Sequence, residues 1–169
     1  MKLMPLGFRP KTSLFFVLVF ASLSTCAVAQ TRIPQFKDFT ATETYTGKTA
    51  PLILTRDDRM FRTRLSEAAK GKPNFAGHYI LTTWGCGTSC LAGAVIDAKT
   101  GRVYWLPHTI CCWGYDVDDK FEPVEARPNS SLIVFSGARN EKEGDNGAHF
   151  YKFENNRFVH IYSKMKAGQ

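Results

Sequence analysis

The chain has 169 residues, 22 basic against 15 acidic for a formal charge of +7, and 44% of them are hydrophobic. That apolar content excludes a disordered or low-complexity chain, and the length suits one domain with a modest core. The basic residues are scattered without the clustered stripe of a nucleic-acid-binding surface, so nucleic acid is not expected as a partner, and such a charge leaves open only a weak, nonspecific attraction to anionic envelope polymers.

The N-terminus sets the compartment. Lys2, Arg9 and Lys11 are the only charges before Arg32, an apolar run from Leu14 to Leu23 follows, and Ala27-Val28-Ala29-Gln30 offers a small-x-small cleavage site. A basic region, a short apolar region and such a site read as a secretory signal over residues 1–29, cleaved after Ala29. The apolar run is about half of the roughly 20 residues that a membrane span needs. Leu23-Ser24-Thr25-Cys26 has a lipobox outline, so a lipoprotein anchored through Cys26 is the alternative, although Thr25 fits that signal poorly. Cleavage removes three basic residues and leaves 19 against 15 acidic ones, a net +4, in a periplasmic or secreted protein without a transmembrane span.

Residues 30–54 are Thr-rich and short of apolar periodicity, an extended arm with at most an edge strand. Thr55 and Asp58 then stand in capping-box spacing, and Phe61, Leu65 and Ala68 follow at i, i+4 and i+7. Gly71 and Pro73 close the element, which predicts one amphipathic helix of about 14 residues. Beyond it the period becomes two. Residues 78–84, 91–97, 103–106 and 131–136 read as strands, with Gly101 in a hairpin turn after Asp97. Asn155-Asn156 suits a two-residue turn that sets Glu154 opposite Arg157, Phe153 opposite Phe158 and Tyr151 opposite His160. Residues 114–130 and 137–148 read as loops. The predicted fold is α+β and mainly antiparallel, with one N-terminal amphipathic helix against a sheet of five to seven strands, over residues 55–169. A small barrel or propeller-like meander is the alternative.

Four cysteines follow the signal: Cys86, Cys90, Cys111 and Cys112. An even count in an exported chain is a disulfide signal, and four cysteines allow three pairings. A bridge from the 86–90 knot to the 111–112 pair is favoured, because it closes a loop of roughly 25 residues worth around 3 kcal/mol. It needs a kink at Cys111-Cys112, since adjacent strand residues face opposite ways. A local Cys86–Cys90 bond is the competing arrangement.

The strings "FKDF", "FRTRL", "NFAGHYILTTWGCGTSC", "IDAKTGRVYWLP" and "FYKFENNRF" resemble a family of exported bacterial proteins of unknown function, with the core pattern NFAGHY…TWGCGTSC…DAKTGRVYxLP, over nearly all of residues 36–162. The resemblance implies a signal-bearing envelope protein and brings no activity with it. The Cys111-Cys112 pair is not part of the family pattern, which implies that Cys86 and Cys90 bond each other.

Three chemistries compete for the knot. As a staple it needs two sulfurs and glycines 85 and 87 for a tight turn. As a nucleophile, Cys86 or Cys90 would need His78 or His108 as base and the amides near Gly87 and Thr88 as an oxyanion hole, yet no helix follows to lower a thiol pKa. As a metal corner the spacing fits at the first pair and fails at the second, which has no spacer. The staple is preferred. Asp116, Asp118, Asp119 and Glu122, and the acidic residues of 140–147, read as solvated loops rather than calcium ligands. His149 and His160 read as packing residues. Trp84 and Trp105 belong to the core, whereas Trp113, Tyr115 and Asp116 on a loop next to the cysteine pair are the candidate binding residues; a plug over the sheet's open end is the competing role for Trp113. The expectation is a non-catalytic binding module, inhibitor- or immunity-like, for another envelope protein or a cell-wall component, without cofactor or metal. A thiol-dependent hydrolase or redox enzyme using Cys86 and Cys90 is the alternative.

Overall fold

Strand-forming alternation carries most of the regular structure of the described chain. The computed structural model describes residues 32–114, 118 and 120–167, so the signal segment, Cys26, Tyr115 and Asp116 lie outside it. The strands are β1 (Tyr79–Gly87), β2 (Cys90–Asp97), β3 (Val103–Trp105), β4 (Ile110–Cys111), β5 (Val124–Arg127), β6 (Ser130–Arg139), β7 (Gly147–Glu154) and β8 (Arg157–Met165). The one α-helix, α1, spans Arg62–Ala68. Every ladder is antiparallel, in the order β1-β2-β4-β6-β7-β8, with β3 beside β2 and β5 beside β6. β1 and β8 end that path and do not pair, so the sheet is not a closed barrel.

Eight strands exceed the five to seven expected. The two additions are short and lie where apolar alternation is weakest. β5 sits inside the stretch read as loop 114–130, and β6 and β7 extend into both ends of the stretch read as loop 137–148. β4 has only two residues, yet it is the seam of the sheet: Cys90↔Cys111 and Leu91↔Ile110 join it to β2, and Ile110↔Arg139 and Cys111↔Ala138 join it to β6. Sequence periodicity cannot register a two-residue strand.

The sheet curls around one of its faces. Tyr79, Val95, Ile110, Ile133, Phe135, Tyr151 and Phe153 meet there with Phe75, and the Phe75 and Phe135 side chains are fully buried. Burying each of these phenylalanines is worth roughly 1.5–3 kcal/mol. The outer face is covered in two pieces. Over β1–β3, Leu65 of α1 packs with Ile80, Trp84, Ala94 and Ile96. Over β6–β8, Ile33, Phe36 and Phe39 cover Leu132, Val134 and Phe150. Phe36–Phe39 form a 3-10 turn, and the bridges Thr40↔Ser130 and Ile53↔Arg102 tie the segment that carries it to the sheet.

The expected capping box is present, with the Thr55 amide donating to Asp58 Oδ2 at 2.7 Å and the Asp58 amide donating to Thr55 Oγ1 at 3.3 Å. It opens a 3-10 turn, Asp58–Phe61, and the α-helix proper has seven residues rather than about 14. Tertiary anchoring explains the difference. Asp58 is buried and accepts the Trp105 Nε1–H at 2.8 Å, while the Phe61 ring lies 5.3 Å from Trp84 and 4.9 Å from Trp105. The Phe61–Leu65–Ala68 stripe faces the sheet as its spacing requires.

Candidate functional site

The knot is a hairpin tip. Gly87 pairs with Cys90 at the end of β1–β2, and Cys86 is disulfide-bonded to Cys90 across Cα atoms 5.2 Å apart. Cys111 is disulfide-bonded to its neighbour Cys112. The expected bridge between knot and pair is therefore not formed, although its partners are adjacent: Cys90 and Cys111 are opposed in the β2–β4 ladder and pack together with Ala138. The kink that bridge required is present, since Cys112 has φ +61 and turns outward while Cys111 stays buried. A local Cys86–Cys90 loop of five residues constrains the unfolded chain less, by roughly 2 kcal/mol against the 3 kcal/mol of the longer loop.

The knot lacks the parts of a nucleophile. Both of its sulfurs are bonded, and His78 precedes the opposite end of the strand that carries Cys86. Eight residues at about 3.3 Å each put that imidazole roughly 26 Å away. His78 instead faces Glu43, Nδ1 to Oε1 at 2.8 Å, and lies 3.7 Å from Asp97. Asp97 is occupied in the hairpin turn, accepting from the Lys99 amide and the Thr100 hydroxyl. Lys99 reaches back to Glu43 at 2.5 Å and, as the first cause, lowers the Glu43 pKa below the ordinary carboxylate value. This group ties the arm to the β2–β3 hairpin.

The densest polar cluster went unread in the sequence. Arg139 donates to both Asp145 carboxylate oxygens at 2.7 Å and to the Tyr151 hydroxyl at 3.1 Å. Tyr151 is buried, and its hydroxyl lies 2.5 Å from His108 Nε2. A guanidinium only donates, so the Tyr151 oxygen accepts from Arg139 and shares a hydrogen bond with His108 Nε2. Burial first, then the Arg139 charge, lowers the His108 pKa and favours the neutral imidazole. Fully buried His149 stands alongside: its Nε2 meets the Gly137 and Asp145 carbonyls at 3.1 and 2.9 Å, which makes Nε2 the protonated nitrogen. The Ser163 hydroxyl lies 2.8 Å from His149 Nδ1 and 2.8 Å from His160 Nε2. The cluster pins β6, β7, β8 and the β3–β4 connection together. The only signal for it in the sequence was the Tyr151–His160 pairing, which the β7–β8 register contains.

Trp113 is half-buried, packs against the inner core and lies 6.3 Å from Phe121. The groove beside it, shared with Lys164 and Lys166, holds about 260 Å³. That is below the usual range of small-ligand sites, roughly 300–1,000 Å³. A larger cleft of about 650 Å³ opens between the arm and the end of α1, lined by Thr44–Thr49 and Ala69–Pro73. Its wall carries Tyr45, Lys48, Lys70 and Lys72 and no carboxylate. Lys70 is paired with Glu67, whereas Lys48 and Lys72 have no carboxylate within ion-pair distance among the described residues. Residues 44–73 contain seven basic and three acidic side chains; of the basic ones Lys48, Lys70 and Lys72 line the cleft, while Arg56, Arg59, Arg62 and Arg64 are exposed and do not line it.

Among the described residues no group of three His, Cys, Asp or Glu side chains is placed to hold a metal ion, and no helix is long and apolar enough to cross a membrane. Compared with known proteins, the chain matches no family model, no curated protein and no solved structure.

Proposed function

We propose that the chain is an exported envelope protein that acts as a non-catalytic binding module for an acidic cell-wall component. The observation that carries this reading is the lysine-lined cleft between the arm and α1. It is large enough for a ligand of several rings, and its wall has an aromatic side chain, three lysines and no carboxylate. An anionic polymer presenting carboxylates next to flat sugar faces complements such a surface through charge and Tyr45 contact. Non-catalytic action at the cleft is supported by its lining, which holds lysines, threonines and Tyr45 and no histidine, cysteine or carboxylate. The signal-like N-terminus and the family resemblance support the envelope as the place of action.

Co-sedimentation with purified peptidoglycan sacculi tests the reading. The parent should pellet at low salt and be released as salt rises, because exposed charges are screened over about 8–10 Å at physiological ionic strength. Lys48→Glu with Lys72→Glu should weaken binding about tenfold, a change of roughly 1.4 kcal/mol. Trp113→Ala should leave it unchanged. A parent that stays in the supernatant, or a charge-reversed variant that pellets like the parent, would reject the proposal.

A further inference from the structure

The two disulfides are built as neighbours. Cys90 and Cys111 are directly opposed in the β2–β4 ladder, and the flanking hydrogen bond runs from the Cys112 amide to the Ser89 carbonyl at 3.1 Å. That bond pattern makes Cys90–Cys111 a non-hydrogen-bonded pair, the kind whose Cα atoms approach to roughly 4.5 Å. Disulfides span Cα separations of about 4.4–6.8 Å, so this pair is within bonding range without moving either strand. Both side chains are buried and packed together with Ala138. Their present partners, Cys86 and Cys112, are exposed. The arrangement thus has two inner sulfurs that face each other and two outer sulfurs that face solvent.

We infer that the four cysteines form one thiol–disulfide exchange site, whose substrate is an external dithiol and whose reduced form carries a cross-strand Cys90–Cys111 bond. A thiolate of the dithiol attacks exposed Cys112 Sγ, breaks the Cys111–Cys112 bond and releases the Cys111 thiolate. The second thiol of the reductant then attacks its own sulfur in the mixed disulfide. The reductant leaves as a cyclic disulfide, and Cys112 becomes a free thiol. Two electrons and two protons have passed from the dithiol to the protein. The Cys111 thiolate next attacks Cys90 Sγ, forms Cys90–Cys111 and expels the Cys86 thiolate, which takes up the proton. This last step moves no net electrons. It replaces a five-residue clip by a tie across the seam between β2 and β4, and presents thiols at Cys86 and Cys112, both at the surface, to a partner. The inference is independent of the lysine cleft, and either can fail alone.

The test uses the full chain with Cys26→Ser, which keeps the fifth cysteine out of the exchange. The protein is treated with one equivalent of dithiothreitol without denaturant, quenched in acid to remove thiolate, alkylated and mapped by peptide mass. The expected product carries two labels, on Cys86 and Cys112, with a Cys90–Cys111 linked peptide. Labels on Cys111 and Cys112 with Cys86–Cys90 intact would overturn the inference, as would labels on Cys86 and Cys90 with Cys111–Cys112 intact. So would direct passage to four labels. Adding Cys112→Ser removes the need for a reductant and leaves one thiol: it should be found on Cys86, and a label on Cys111 instead would equally overturn the exchange.

Discussion

Arg139 and Asp145 show how much one buried pair organises. The Asp145 side chain is 7% exposed and that of Arg139 24%. The guanidinium beside it, the largest cause, holds the Asp145 carboxyl far below the usual carboxylate range. A group whose folded pKa is depressed stabilises the protein above its unfolded value, about 3.9, and loses that contribution as pH falls toward the folded value. His108 and His160 are depressed too, chiefly by burial, so the unfolded chain takes their protons first, below about 6.5. Stability should therefore fall in acid in two stages, a histidine stage starting below about pH 6.5 and a carboxylate stage below about pH 4. Asp145→Asn should cost about 2–4 kcal/mol at neutral pH, because it leaves a largely buried guanidinium uncompensated. It should also flatten the second stage and spare the first. Urea midpoints at pH 7, 5 and 3 measure both effects, and a variant that keeps the parent's full loss between pH 5 and 3 would show that Asp145 is not its source. None of this was legible in the sequence. Arg139 and Asp145 lie six residues apart around a turn, and only the fold sets both against Tyr151.

At the scale of elements, short-range rules did better. The final hairpin turns at Asn155 and Asn156 with φ +49 and +60, the two consecutive left-handed residues that its two-residue turn needs. The register follows as expected through Glu154↔Arg157, Phe153↔Phe158 and Tyr151↔His160, before a bulge opens between Phe150 and Tyr151. The Asn-Asn turn was readable because its requirement is local: φ > 0 at two adjacent positions. What could not be read is that Asn156 Oδ1 also accepts the Tyr79 hydroxyl at 2.7 Å, joining the hairpin tip to β1. Burial, as first cause, pushes that phenol up to about 12, so it keeps its proton and stays a donor at ordinary pH. The turn and the bond can be separated. Asn156→Gly keeps the left-handed backbone and loses only the acceptor, a change of about 1 kcal/mol. Asn156→Val also forces a β-branched residue into the left-handed region, for a total of about 2–4 kcal/mol. Thermal melts of the two variants should rank parent, then Gly, then Val; equal melting temperatures for Val and parent would exclude the turn as a stability determinant.

For the whole molecule, the decisive element is the smallest. β4 joins the β1–β2–β3 group to the β5–β8 group, and helix, arm and core clusters are arranged on either side of it. The fold class and the single helix were visible as periods of two and 3.6 in runs of four or more residues. The seam was not, because two residues have no period, and its partners lie some twenty residues away on one side and nearly thirty on the other. Gly137 is where the seam is most exposed to a substitution. It has φ +145, and a Cβ there would lie 2.4 Å from the Cys111 carbonyl oxygen, a backbone atom that can give way only if β4 moves from β6. Gly137→Ala should therefore cost more than the usual strand glycine replacement, about 2–3 kcal/mol, and the loss should be cooperative across the sheet. In a Trp113→Phe background only Trp84 and Trp105 remain, on the β1–β3 side, so fluorescence follows one half of the molecule while far-ultraviolet dichroism follows both. In that background the two denaturation curves should coincide, as expected of a single cooperative unit. In Gly137→Ala both midpoints should fall; if they fall together, β4 still transmits the fold, and if dichroism falls ahead of fluorescence, the two halves have been uncoupled at this strand. A variant with an unchanged midpoint would mean that the β4–β6 ladder contributes little, and that the inner core alone holds the halves in register.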